Sequence, residues 1–234
     1  MCGRYTDTRR KKAMLASVGL QADLAFVPRY NIAPTQEASI VAVGEDGRAE
    51  HRRARWGLLP VWTKGSTIPA SLINARAETI ASKPSFRMSY LKRRCLVLAD
   101  GFYEWQKRDD GKQPIYLHML EGAPFAFGGL WEEWRDEERM VESFCIVTTA
   151  PNELCASVHD RMPLILREKD FGAWLDASTR QPAVDALLRP YPAAEMECYP
   201  VNTAVNNVRN ETAECLERVA VSPAPAKELQ LRLF

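Results

Sequence analysis

Alternation of apolar and polar positions dominates this chain. Ser39–Val43 and Glu50–Trp56 alternate on either side of the turn Gly44-Glu-Asp-Gly47 and predict a β-hairpin. Cys95–Ala99 is a continuous apolar run of strand length and predicts a central strand. Ile115–Met119, Phe125–Trp131 and Ser143–Thr149 read as antiparallel strands, with Asp109-Asp-Gly-Lys112 as a hairpin turn and the acidic Glu132–Glu142 as a solvated loop. Glu197–Val201 reads as a further strand. Helical patterns are few and short: one from Asp7 or Thr8 to about Val18, stopped by Gly19, then Ser85–Lys92, Phe171–Leu175 and Ala183–Leu188. Residues 29–35, 63–70 and 205–210 read as irregular. Strands joined by short helices, with no repeat or linker to divide them, predict an α+β fold. We expect one domain over residues 1–222 with a curved, barrel-like antiparallel β core and short flanking helices, then a loosely ordered tail over 223–234.

Composition narrows this little. The 234 residues are 46% hydrophobic and 26% charged, as in ordinary globular proteins. No apolar run is long enough for a membrane helix, and no apolar segment follows the basic start as in a secretory leader, so a cytosolic monomer is expected. The six cysteines include no C-x-x-C pair and the three histidines are scattered, so no metal or other cofactor is expected and the thiols read as reduced. Net charge is +1, but residues 1–100 hold 17 Lys and Arg against 8 Asp and Glu. That asymmetry is compatible with a basic face for nucleic acid, and equally with charges that mix once folded. Arg9–Lys12 near a helix start opposes the helix dipole, and reads either as a solvated face or as a used one.

The candidate chemistry lies at the start, Met1-Cys2-Gly3-Arg4-Tyr5. Cysteine is small enough for an aminopeptidase to remove Met1 before it. Cys2 would then carry a free α-amine, titrating at roughly 7.7–8.0, beside a thiol near about 8.5. A 1,2-aminothiol condenses with an aldehyde: the amine forms a Schiff base and the thiol closes on the imine carbon to give a five-membered thiazolidine. An internal cysteine cannot make that ring. Glu104, between Tyr103 and Trp105 just beyond the apolar strand, is a carboxylate whose pKa an aromatic setting would raise, unless it lies on an exposed edge. Trp56 reads as a core anchor, while Trp62 suits a core or a stacking platform.

Seven motifs then follow in one order: Cys2-Gly-Arg-Tyr, Tyr30-Asn-Ile-Ala-Pro34, Trp56-Gly-Leu-Leu-Pro60, Ile73-Asn-Ala-Arg-Ala-Glu78, Asp100-Gly-Phe-Tyr-Glu-Trp105, Val147-Thr-Thr-Ala150 and Val158-His-Asp-Arg-Met-Pro163. Together they resemble the SOS-response-associated peptidase (SRAP) family, from Cys2 to about Asn210. The resemblance implies a protein that shields abasic sites in single-stranded DNA through a thiazolidine crosslink at the terminal cysteine. It implies that Cys2 supplies amine and thiol, that Asn74 orients the cysteine and the sugar, that Glu104 shuttles protons, and that His159 assists opening of the sugar ring. Arg4, Arg76 and Arg161 match positions that hold phosphates, and Asn31, Pro34, Trp62 and Trp105 match a surface against neighbouring bases. Tyr199 departs from the pattern, where a histidine or similar polar residue is expected. A cysteine peptidase acting on itself or on other peptides, and a non-covalent single-strand binding module, are the competing expectations.

Overall fold

The computed structural model describes residues 2–9, 11–20, 26–64, 72–109 and 111–220. The predicted 223–234 tail, Met1 and most of the 63–70 loop lie outside them. In chain order the strands are β1 (Tyr5–Asp7), β2 (Arg29–Ile32), β3 (Glu37–Val43), β4 (Ala49–Trp56), β5 (Asn74–Arg76), β6 (Arg94–Ala99), β7 (Gly101–Arg108), β8 (Gly111–Met119), β9 (Phe125–Arg135), β10 (Met140–Thr149), β11 (Met162–Pro163), β12 (Ile165–Leu166) and β13 (Met196–Pro200). The helices are α1 (Lys12–Ala16), α2 (Pro84–Lys92), α3 (Glu153–Ala156), α4 (Phe171–Leu175) and α5 (Gln181–Asp185).

Strands β10, β4, β3, β6 and β9 pair in that order, and β9 pairs back onto β10, closing a five-stranded barrel. The fold is α+β with a barrel-like core, as the patterning predicts. Its pairing is not wholly antiparallel: β10 runs parallel to β4 and to β5. Hairpin neighbours must be antiparallel, but strands joined by a long connection are free to lie parallel. A second sheet, in the order β13-β8-β7-β1-β2, packs against the barrel.

The strict alternation of the strands sorts the core into two faces. Ile40, Val97, Phe127, Phe144 and Ile146 pack with Tyr5, Phe102 and Leu117 of the second sheet, and Cys2 belongs to this cluster. Val41, Leu96, Leu98, Leu130 and Val147 form the other face, covered by Met14 and Leu15 of α1, Phe86 and Tyr90 of α2, Phe171 and Trp174 of α4 and Val184 of α5. The far face of the second sheet buries Tyr103 and Tyr116 beneath Val201, Val205 and Cys215.

Several local expectations change. The first helix does not start at Asp7 or Thr8. Asp7 ends β1, and the Asp100 carboxylate accepts from Thr8 N (2.6 Å), Thr8 Oγ1 (2.9 Å), Arg9 N (2.7 Å) and Thr6 Oγ1 (2.5 Å), which holds the chain extended past Thr8. Only Lys12–Ala16 is helical, without a side-chain cap. Lys11, from the basic run, is buried against Asp7, so the run is not one solvated face. Arg29–Ile32 is a strand rather than irregular, because β1 offers it an edge. The acidic 132–142 segment is mostly hairpin: β9 and β10 pair out to Arg135 and Met140. Buried Glu132 accepts from Ser89 Oγ at 2.6 Å and from Arg93 Nη1 at 2.7 Å. The last helix is Gln181–Asp185, earlier than its apolar pattern suggests, with proline in its first turn.

Gly129 of β9 lies against close neighbours in the barrel wall. A Cβ there would sit 2.8 Å from Val97 Cγ2, 2.9 Å from Cys95 Sγ and 3.0 Å from the Cys145 carbonyl oxygen. Gly129→Ala is expected to lower stability by about 1–3 kcal/mol, through overpacking against the Val97 and Cys95 side chains and the Cys145 carbonyl. Thermal unfolding checks this, with a fall in Tm of several degrees expected.

Candidate nucleophilic site at the start of the chain

Termini ordinarily fray. Here Cys2 is 0% exposed. The cause is strand pairing: Tyr5 lies opposite Phe102 in β7 and Ile32 in β2, and Tyr103 N donates to Arg4 O at 3.0 Å. This draws the segment before β1 alongside β7, towards Glu104. Asn74 reaches the same place from β5, which is held in register by Ile146 of β10. Its Nδ2 donates to the Cys2 carbonyl oxygen at 2.9 Å. Asn74 is 6% exposed, and its Oδ1 has no hydrogen-bond partner among the described residues. A buried, unused acceptor is costly unless something is meant to meet it.

Glu104 is 5% exposed and inward-facing, so the edge-strand alternative does not hold. Burial raises its pKa from the ordinary carboxylate range to about 7. The Cys2 thiol is pushed well above its ordinary range, by burial first and by the Glu104 charge second. His159 lies in the turn between α3 and β11, where neighbouring Val158 packs on the same core cluster as Cys2. Its Nδ1 is 3.1 Å from the Arg161 amide and 2.8 Å from Asp160 Oδ1. Burial lowers its pKa, which favours the neutral imidazole at pH 7. Cys2, Asn74 and Glu104 thus meet in one buried place, with the His159 turn at its side. Among the described residues no group of three or more His, Cys, Asp or Glu is arranged to hold a metal.

The expected DNA-contacting residues divide. Arg76 is exposed, two residues along β5 from Asn74 and so on the same face of the strand. Trp62 is 64% exposed, which decides for it against the core, while Trp56 is fully buried as expected. Pro34 is half-buried beside Thr35, a non-glycine residue at φ 74°. Arg4 is half-buried, donates from Nη1 to Asn31 Oδ1 (2.9 Å) and to Val205 O (2.8 Å), and lies 5.8 Å over the Trp105 ring. Trp105 is itself tied to Asn206 Oδ1 at 2.7 Å.

Two expected contacts do not face outward. Asn31 is fully buried. Its Nδ2 serves the carbonyls of Val205, Asn207 and Asn210 at 3.2, 3.0 and 2.9 Å, so it holds the 205–210 segment under Arg4. Arg161 spends its fork inside the protein. Nη1 and Nη2 meet Glu78 Oε1 and Oε2 at 2.9 and 3.0 Å, Nη2 meets Thr148 O at 2.6 Å, and Nε meets Thr148 Oγ1 at 3.3 Å. Sequence reasoning gave no role to Glu78, Asp160 or the 205–210 segment. The amide-rich Val-Asn-Asn-Val-Arg-Asn pattern was the available signal for the last.

Comparison with known proteins agrees with this geometry. The model of the family described as SOS response associated peptidase (SRAP) matches residues 1–208. The chain is similar to abasic site processing protein YoqW of Bacillus subtilis strain 168, 38% identical over 224 residues, covering 93% of this chain and 99% of the relative. It is similar to abasic site processing protein YedK of Escherichia coli K12, 30% identical over 230 residues, covering 94% and 100%. A crystal structure of a protein from Bacteroides thetaiotaomicron superposes with a TM-score of 0.81 at 25% identity, covering 93% of this chain and all of the other. With the family model spanning nearly the whole chain, and Cys2, Asn74 and Glu104 meeting in one buried place, this chain belongs to the SRAP family.

Proposed function

We propose that this protein captures abasic sites in single-stranded DNA by closing a thiazolidine on Cys2 once Met1 has been removed. The observation that carries this is the burial of residue 2 beside an orienting amide and a carboxyl group poised near neutrality. The relatives' names, which describe abasic site processing, support the substrate. Burial also supports selectivity: a cysteine enclosed by core side chains accepts a sugar without its base more readily than an intact nucleotide.

The chemistry uses groups already present. The Cys2 amine adds to the aldehyde of the ring-opened deoxyribose to give a carbinolamine. Protonated Glu104 donates to the departing hydroxyl, water leaves, and an iminium that keeps its N–H remains. Glu104, now a carboxylate, accepts the thiol proton as Sγ bonds to the iminium carbon, whose C=N π electrons pass to nitrogen and give the neutral ring amine. One water is released overall. A pKa near 7 suits a group that must give and then take a proton. Asn74 holds the Cys2 carbonyl, and its open Oδ1 faces a donor such as the amine or a sugar hydroxyl. Arg4 and Arg76 supply cations for flanking phosphates, and exposed Trp62 supplies a stacking surface.

The direct test is a denaturing gel with a single-stranded oligonucleotide carrying one abasic site, an undamaged control and Cys2→Ala. A band that survives denaturant only for the unaltered protein with abasic DNA is expected. Its absence in protein whose intact mass confirms loss of Met1 would overturn the proposal. A peptidase acting on itself would instead remove Met1 without any aminopeptidase.

Two further outcomes follow from Glu104. The crosslinking rate should fall above about pH 7, where the acid form is lost, and also in acid, where the amine is protonated; Glu104→Gln should slow it by about a hundredfold or more. Single-turnover rates against pH check both. The second concerns stability. A carboxyl group raised in the folded state carries no penalty below its unfolded pKa of 4.5, and a penalty that grows as pH rises to about 7 and is constant above. Glu104→Gln should therefore stabilise the fold at pH 8, by up to about 3 kcal/mol, and lose that advantage near pH 4. Denaturant unfolding at the two pH values measures the difference.

A further inference from the structure

The Glu78–Arg161 pair joins two motifs that are 83 residues apart in sequence. It is a two-pronged carboxylate–guanidinium contact. Arg161 is the inner partner, with 13% of its side chain exposed, and Glu78 the outer one, with 53%. Together with its bonds to Thr148 O and Oγ1, the guanidinium is committed to β10 on one side and to Glu78 on the other. A fork used in this way is not open for a phosphate unless Glu78 lets go. What the fork fixes is the backbone at residue 161, whose amide lies 3.1 Å from His159 Nδ1.

That amide matters because an imidazole has two nitrogens and one proton when neutral. If Nδ1 accepts from a backbone N–H, the proton sits on Nε2. Asp160 Oδ1, 2.8 Å from the same Nδ1, pulls the other way and favours Nδ1–H. The Asp160 side chain is almost fully exposed, so its charge is screened by water, while the Arg161 amide belongs to a residue whose side chain is bonded to Glu78 and Thr148. Glu104 reaches the same neighbourhood, since its carboxyl feels the Asp160 charge. We propose that Glu78 is a positioning residue for His159: by holding the Arg161 fork it fixes the amide on His159 Nδ1 and so presents Nε2–H to the site. Asp160 then becomes the partner of Nδ1 only when the imidazole is protonated, so either charge state of His159 has an acceptor or a donor waiting. This deepens the proposed function, in that it gives His159 a defined donor for opening the sugar ring.

The experiment begins without DNA. Long-range proton–nitrogen NMR of the imidazoles reports which nitrogen carries the proton, and His159→Asn identifies the His159 signals among the three histidines. His118, whose Nδ1 lies 2.8 Å from the Met119 carbonyl oxygen, serves as an internal reference for the opposite tautomer. At neutral pH the unaltered protein should show His159 protonated on Nε2. Glu78→Gln and Arg161→Lys should each shift it towards a mixture of tautomers, while His118 does not move. An unchanged His159 signal in both variants would overturn the proposal, and thermal unfolding of each variant separates a local change from a lost fold.

The second arm uses single-stranded DNA. Glu78→Gln should slow crosslinking at saturating abasic oligonucleotide about tenfold, with half-saturation unchanged. Binding of Arg161→Lys to undamaged DNA should keep the salt dependence of the unaltered protein. Tighter binding by Glu78→Gln, or a salt slope reduced by about one in an Arg161→Ala variant, would show instead that Arg161 contacts a phosphate which Glu78 masks, and would overturn the positioning role. If the unaltered protein forms no crosslink at all, the proposed function fails while the NMR arm still decides the role of Glu78.

Discussion

The constraint on which the site depends is that Cys2 and the strand that follows it lie inside the core. Residues 2–7 are not a terminus resting on a finished domain. β1 is an interior strand of the second sheet, with β7 on one side and β2 on the other. At its far end the Asp100 carboxylate gathers donors from Thr6, Thr8 and Arg9, and at its near end Asn74 holds the Cys2 carbonyl. Strand pairing has a period of two, so a slip by one residue would turn Cys2 away from Glu104 altogether. The two anchors make that slip expensive.

The same burial that places Cys2 also sets its chemistry. Low dielectric keeps the thiol protonated and lifts the Glu104 carboxyl to about neutrality, because burial disfavours the charged form of each. The protein therefore carries an uncomfortable cluster: a raised carboxyl, an unused amide oxygen on Asn74 and a lowered histidine. Such a concentration in one place is where function is expected to conflict with stability. The closed barrel carries the opposing burden, since its strands leave no free edge among the five and each of its faces contributes to a buried apolar cluster.

Several of the chain's cations are spent internally. Lys11 meets Asp7, Arg52 meets Glu142, Arg93 meets Glu132 and Arg161 meets Glu78. Arg94 is buried and caps helix ends by donating to the carbonyls of Tyr90, Trp174 and Asp176. The positive excess of the first hundred residues therefore overstates the field at the surface. Arg76 and half-buried Arg4 remain as the cations set around the site.

Local sequence determined the strand-rich α+β class, most of the hairpins and the candidate reactive group. Alternation of side chains is a property of each strand alone, and a 1,2-aminothiol has its chemistry wherever it stands. The motif order was enough to name the family and to pick out Cys2, Asn74, Glu104 and His159. Tertiary structure alone decided the rest. Whether Glu104 is buried depends on Cys2 and Asn74 arriving from β1 and β5, and no local pattern encodes that. Asn31 and Arg161 look like surface hands in sequence because they stand at positions where the family resemblance implies DNA contacts. They are internal ties here because Val205 and Glu78, far along the chain, are folded against them. The extended path at Asp7–Thr8 likewise defeats a helix start that is sound locally, since a single carboxylate nearly a hundred residues away captures the backbone donors a helix would have left open.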